Sequence, residues 1–147
     1  MRLQHSTISN IHNILQIIND AKVYLKSKEI DQWQHGYPNK SQIEKDIANN
    51  ESYVLINDAN QVIATSMFSI RPEPTYKLID GEWKIKESEK YGVIHRLAIH
   101  KNHRKKGIAS HMLNEFHQLL NKQHIRSLKI DTHEDNHEMQ YLVKKLG

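Results

Sequence analysis

With 147 residues, 37% apolar and 26% charged, the chain reads as one domain over residues 1–147, large enough for a real core yet unusually polar. It holds no cysteine, which excludes disulfides and thiol catalysis. No run approaches the ~20 apolar residues of a membrane span, and the opening MRLQHSTISN lacks the apolar stretch of an export signal, so the cytoplasm is the expected compartment.

The net charge of +4 is unevenly placed: residues 93–147 carry ten Lys/Arg against five Asp/Glu, and residues 1–92 eleven against twelve. A basic C-terminal part suits an anionic ligand. Nucleic acid is not expected, because no aromatic–basic interleaving or nucleic-acid motif accompanies the charge. Eight of the eleven histidines also fall in 93–147, so zinc has to be weighed.

Taken in order, residues 2–5 read as a short edge strand. Ile8, Ile11, Leu15, Ile18, Ala21 and Leu25 recur close to helical spacing, which predicts an amphipathic helix from Thr7 to about Ser27, with Ser6 or Thr7 as its cap. EIDQWQHGYPNKS is loop-like, punctuated by Gly36 and Pro38. Ser41 and Glu44 have capping-box spacing and open a second helix with Ile43 and Ile47 inward. Tyr53–Ile56 and Val62–Ile70 are strands joined by a turn at 57–60, and Pro72 and Pro74 end the second. Residues 75–90 contain Asp80-Gly81 between short alternating runs, a small hairpin or excursion. Arg126–Thr132 is a further strand and Asn136–Leu146 a last helix.

Between these lies Tyr91–Leu120, YGVIHRLAIHKNHRKKGIASHMLNEFHQLL. It reads as a strand, a basic turn, and a helix with Ile108, Met112, Phe116, Leu119 and Leu120 at helical spacing. Lys101–Lys106 holds four Lys/Arg and no acid. A helix N-terminus has amide N–H groups without intrahelical partners and carries partial positive charge, so an anion placed there meets several donors. Gly107 lets a bulky ligand approach the backbone, and Ala109 keeps the next approach point small. Arg104, Lys105 and Lys106 add charge where a diphosphate would sit.

The spacing Arg104-x-x-Gly107-x-Ala109 after a VIHRLAIH strand resembles the acetyl-CoA signature of the GNAT superfamily of N-acetyltransferases. The element order, with hairpins first and a strand–helix–strand unit near the end, is similar to that family's fold over most of the chain. The expected fold is therefore a mixed α/β sheet, mostly antiparallel, with a parallel strand pair at the cofactor site and helices on both faces. In the family the last helix is followed by a Gly-Phe step and closing strands, whereas this sequence stops at Gly147. A C-terminally truncated domain is expected on that ground, with a sheet edge that invites pairing, so a homodimer is compatible with the chain.

The resemblance implies an acetyl-CoA-dependent N-acetyltransferase acting on a primary amine, small molecule or peptide. It assigns the Leu97-Ala98-Ile99 segment to the pantetheine arm and thioester oxygen through backbone groups. It gives the pyrophosphate to the amides of Arg104, Lys105, Lys106, Gly107, Ile108 and Ala109, and a cofactor-arm contact to Asn136. His95 is the candidate base or proton relay. Some family members carry histidine at the matching position, and others a glutamate two residues earlier, where this chain has Val93. Two positions before Leu97, His95 is expected on the same side of the pleat, and an ordinary histidine pKa near ~6.5 suits reversible proton transfer. The family's thiolate-protonating tyrosine falls on Val143, which leaves the acid to water, Tyr91 or His133. Trp33, Tyr37 and Trp83 are the aromatic candidates for the acceptor pocket, Trp33 being equally well explained as a cap on the core.

Two other readings stand beside this one. A GNAT-like module that binds CoA without turnover would explain the missing tyrosine. His133-Glu134-Asp135-Asn136-His137 also matches the H-E-x-x-H zinc pattern, but SLKIDT before it reads as a strand and too few residues follow for a third ligand, so no metal is expected.

Overall fold

The computed structural model describes residues 1–30, 33, 38–71, 90–104, 106–125 and 127–130. The elements are β1 (Arg2–His5), α1 (Ile11–Ser27), α2 (Lys40–Ala48), β2 (Ser52–Ile56), β3 (Val62–Arg71), β4 (Tyr91–Ile99), α3 (Ile108–Asn121) and β5 (Leu128–Ile130). The strands form one sheet in the order β1-β2-β3-β4-β5. The first three pairings are antiparallel and β4 with β5 is parallel. This is the mixed sheet that the sequence predicts. The excursion at 75–89 and the last helix lie outside the described residues.

Helices cover both faces. On one, α3 buries Ile108, Met112, Leu113, Phe116 and Leu120 against Leu55, Phe68 and Ile94. Phe116 stacks on Phe68 at 4.4 Å between ring centres. On the other, Ile14, Ile17 and Ile18 of α1 and Ile43 of α2 close over Val54, Ile56 and Ala98. Successive β2 residues thus point to opposite layers, as a strand with both faces covered requires. The first helix departs from its predicted stripe. It begins as a 3-10 turn over Ile8–Asn10 that leaves Ile8 63% exposed, and Ile14 and Ile17 take the inward positions. Tightening the first turn rotates the following face relative to the ideal period.

Local polar chemistry sets the ends. Asn39, in extended conformation, accepts a 2.9 Å bond from the Gln42 amide and caps α2. Ser41 already lies inside the helix, so the expected Ser41–Glu44 box is not what starts it. In the β2–β3 turn the Asn57 side chain accepts from the amides of Ala59 and Gln61, at 3.0 and 2.9 Å.

Gly92 is where α3 crosses β4 most closely: a Cβ there would stand 2.8 Å from Leu120 Cδ1. Leu120 is wholly buried, so it has nowhere to retreat. Gly92→Ala is expected to lower unfolding free energy by about 1–3 kcal/mol through overpacking, read as a lower denaturant midpoint with an unchanged slope.

Candidate active site at the β4 bulge and the α3 N-terminus

The site is built where β4 hands over to α3. Between Thr65 and Met67 β3 advances two residues, while their partners Ala98 and His95 lie three apart on β4. The extra residue makes a β-bulge, and Arg96 carries it with φ 56. A left-handed conformation at a non-glycine residue costs roughly 1–2 kcal/mol, so something must hold it. Asp46 of α2 does: its carboxylate accepts two bonds from Arg96, Nε at 2.7 Å and Nη2 at 2.8 Å. The two side chains are 8% and 5% exposed. Gln42 Nε2 donates to the same carboxylate at 3.1 Å.

The bulge corrects the expected placement of His95. Ile94, Leu97 and Ile99 pack on the α3 side, and Ala98 on the α1–α2 side. His95 pairs with Met67, whose face is that of Thr65 and Ala98. His95 and Leu97 therefore point to opposite layers, because the inserted residue reverses the alternation. His95 is half-buried on the α1–α2 face. On that face too, Trp33 is half-buried against the α1–α2 core cluster. Tyr91 is buried at the far end of β4, with Lys129 Nζ 4.6 Å over its ring.

After Ile99 a 3-10 turn at Lys101–His103 is fixed by His100 Nδ1, which accepts from the Asn102 amide at 3.1 Å. Gly107 then stands at the start of α3 with φ 77. The first intrahelical bond runs from His111 N to Gly107 O. Among the described residues no side chain caps this end, whereas Asn39 caps α2, and the first turn of α3 holds no acid. The amides of Ile108, Ala109 and Ser110 are thus donors that the helix leaves unused. Among the described residues a Cβ at Gly107 would meet nothing within 4 Å, so none of them fills the space before this backbone.

Arg104 lies over the Tyr24 ring at 4.5 Å, and its buried Nη2 has no hydrogen-bond partner among the described residues. Lys101 and Lys106 complete the described basic turn, and Lys105 lies outside the described residues. Partial burial pushes the His103 pKa below its ordinary value, and the neighbouring His100 and Lys106 push it further. Asn136, Tyr37, Trp83 and the His133–His137 run also lie outside the described residues.

An open helix N-terminus, a cationic turn and a bulged strand leading to it suit a ligand with a diphosphate at one end and an extended arm. Sequence reasoning missed Asp46, which reads as a solvated helix residue, and Tyr24, which reads as stripe-edge packing. Neither position carries a signal until its partner in space is known.

The family model for the GNAT acetyltransferase family matches residues 12–147. The chain belongs to that family of acyltransferases. Among solved structures, a GNAT-family acetyltransferase from Streptococcus agalactiae is 27% identical with a TM-score of 0.81, covering 99% of this chain and 83% of that one. One from Listeria monocytogenes has a TM-score of 0.77 at 16% identity, covering 99% and 84%. A predicted acetyltransferase from Clostridium acetobutylicum, solved with acetyl-CoA, has a TM-score of 0.67 at 16% identity, covering 99% and 88%. No curated protein matches the chain.

Proposed function

We propose that the protein is an N-acetyltransferase that uses acetyl-CoA and a primary amine. The observation that carries this is the uncapped start of α3 behind a left-handed Gly107, facing open space and flanked by Arg104 and Lys106. The fold shared with a structure solved with acetyl-CoA supports the choice of donor. The donor set fits: three unused amides and an unpartnered guanidinium nitrogen suit a diphosphate.

When bound, acetyl-CoA would supply a thioester: the amine nitrogen bonds to its carbonyl carbon, the C–S bond breaks, and the thiolate leaves as CoA thiol with a proton from water, so the absence of cysteine costs nothing. The chain's residues do the rest. Amides of Ile108 and Ala109, with Arg104 and Lys106, bind the diphosphate. Backbone groups of Leu97, Ala98 and Ile99 orient the arm and donate to the thioester oxygen, a role that does not depend on which way the Leu97 side chain points. His95, on the α1–α2 face, removes the ammonium proton from an amine entering from that side. Trp33 on the same face belongs to the acceptor wall; Tyr37 and Trp83, the other aromatic candidates, lie outside the described residues. An amine panel with acetyl-CoA tests this by thiol release: release with at least one amine is expected. CoA binding without release from any amine would leave a binding module instead.

Binding is expected to take up a proton. A diphosphate beside His103 favours its charged form and raises the lowered pKa, so affinity for CoA should increase as pH falls from neutral toward mildly acidic. Titration calorimetry in two buffers of different ionisation heat reads the uptake, and His103→Gln should remove it. Without ligand the sign is opposite: a depressed histidine pKa contributes stability above ~6.5 that is lost as pH falls below it.

A further inference from the structure

We infer that Asp46 is a positioning residue for acetyl transfer: through the Arg96 fork it holds the β4 bulge and so sets the face on which His95 meets the acceptor. The inference rests on the acetyltransferase reading above and adds to it a residue of α2 that lies outside the signature strand and turn.

Arg96 is the inserted residue of the bulge and has φ 56, a conformation that favours glycine. Relaxed to an ordinary strand, β4 would restore simple alternation, and His95 and Leu97 would share one side. The observed arrangement, with His95 beside Met67 and Leu97 against α3, exists only while the extra residue is accommodated. The interaction that accommodates it is specific in geometry. Nε and Nη2 of one guanidinium meet the two oxygens of one carboxylate at 2.7 and 2.8 Å, out of water, and Gln42 binds the carboxylate from one turn away on α2. A two-point fork fixes direction as well as distance, which a lysine could not do. Buried ion pairs add little stability over apolar replacements but do specify arrangement. Here the specified element is the strand that carries the proposed base.

A small displacement of a reacting group costs on the order of 100-fold in rate. Asp46→Asn is therefore expected to lower kcat by about 10- to 100-fold at a temperature well below its melting point, with CoA affinity within about threefold, because α3 is untouched. Asp46→Asn takes one carboxylate charge from a buried guanidinium and risks misfolding. The second variant, Asp46→Leu with Arg96→Met, removes both charges together, and it should fold while showing the same loss of kcat. Arg96→Lys, which keeps charge but not the fork, should not restore the rate. A folded double variant with wild-type kcat and acceptor KM would overturn the positioning role and leave the acetyltransferase reading standing. A wild-type protein that releases no thiol with any amine would overturn both, and the two failures are told apart by the wild-type control alone.

Discussion

Replacing Gly107 with tryptophan is expected to abolish CoA binding while the protein stays folded. Gly107 has φ 77, so any side chain there is strained; the cost is roughly 1–2 kcal/mol and should be similar for alanine and tryptophan. Alanine is thus the strain-matched control. Among the described residues a Cβ there would meet nothing within 4 Å. That volume is where the proposal puts the diphosphate, and an indole fills it. Titration calorimetry should show Gly107→Ala weakened by less than about tenfold and Gly107→Trp by more than about 100-fold, at matched melting temperatures. Equal affinities in the two variants would mean that the ligand does not approach this backbone.

The second large effect concerns His95. His95→Ala should lower kcat by on the order of 10²- to 10⁴-fold, the range of a positioned general base, while CoA affinity is nearly unchanged. The acidic limb of the pH–rate profile should flatten, because the group that has to be neutral to accept the ammonium proton is gone. A variant whose profile matched that of the wild type would remove His95 from the proton path. The bulge sharpens this expectation. With His95 on the α1–α2 face, an acceptor for the proposed base has to enter from that side.

Much of the architecture was readable from periodicity. β2, β3, β4 and α3 each repeat an apolar pattern long enough to define their type, and both faces of the sheet had to be covered because the strands are apolar on successive positions. The strand–turn–helix corner was readable as well: a glycine after a basic turn and before an apolar helical stripe marks the start of α3. Three features were not. VIHRLAI reads as a mostly apolar strand with His95 and Arg96 inside it, and an arginine in a left-handed bulge has no local signature, glycine being the residue normally found there. Asp46 sits in KSQIEKDIANN, where a charged helix position is ordinarily solvated; only its contact with Arg96, fifty residues away, makes it a core residue. Asn39 and Ser41 both qualify as helix caps, and the choice of Asn39 follows from its extended backbone just after Pro38. The first two failures share a cause: a buried polar pair is specified by tertiary contact, and local pattern contains only half of it.

The central claim is that unused amides at the start of α3 receive the diphosphate of CoA. A crystal structure of the protein with CoA tests it most directly. Phosphate oxygens within ~3 Å of the Ile108 and Ala109 nitrogens, with the arm running along β4 toward His95, is the predicted result. CoA bound elsewhere, with that helix end covered by side chains, would contradict it.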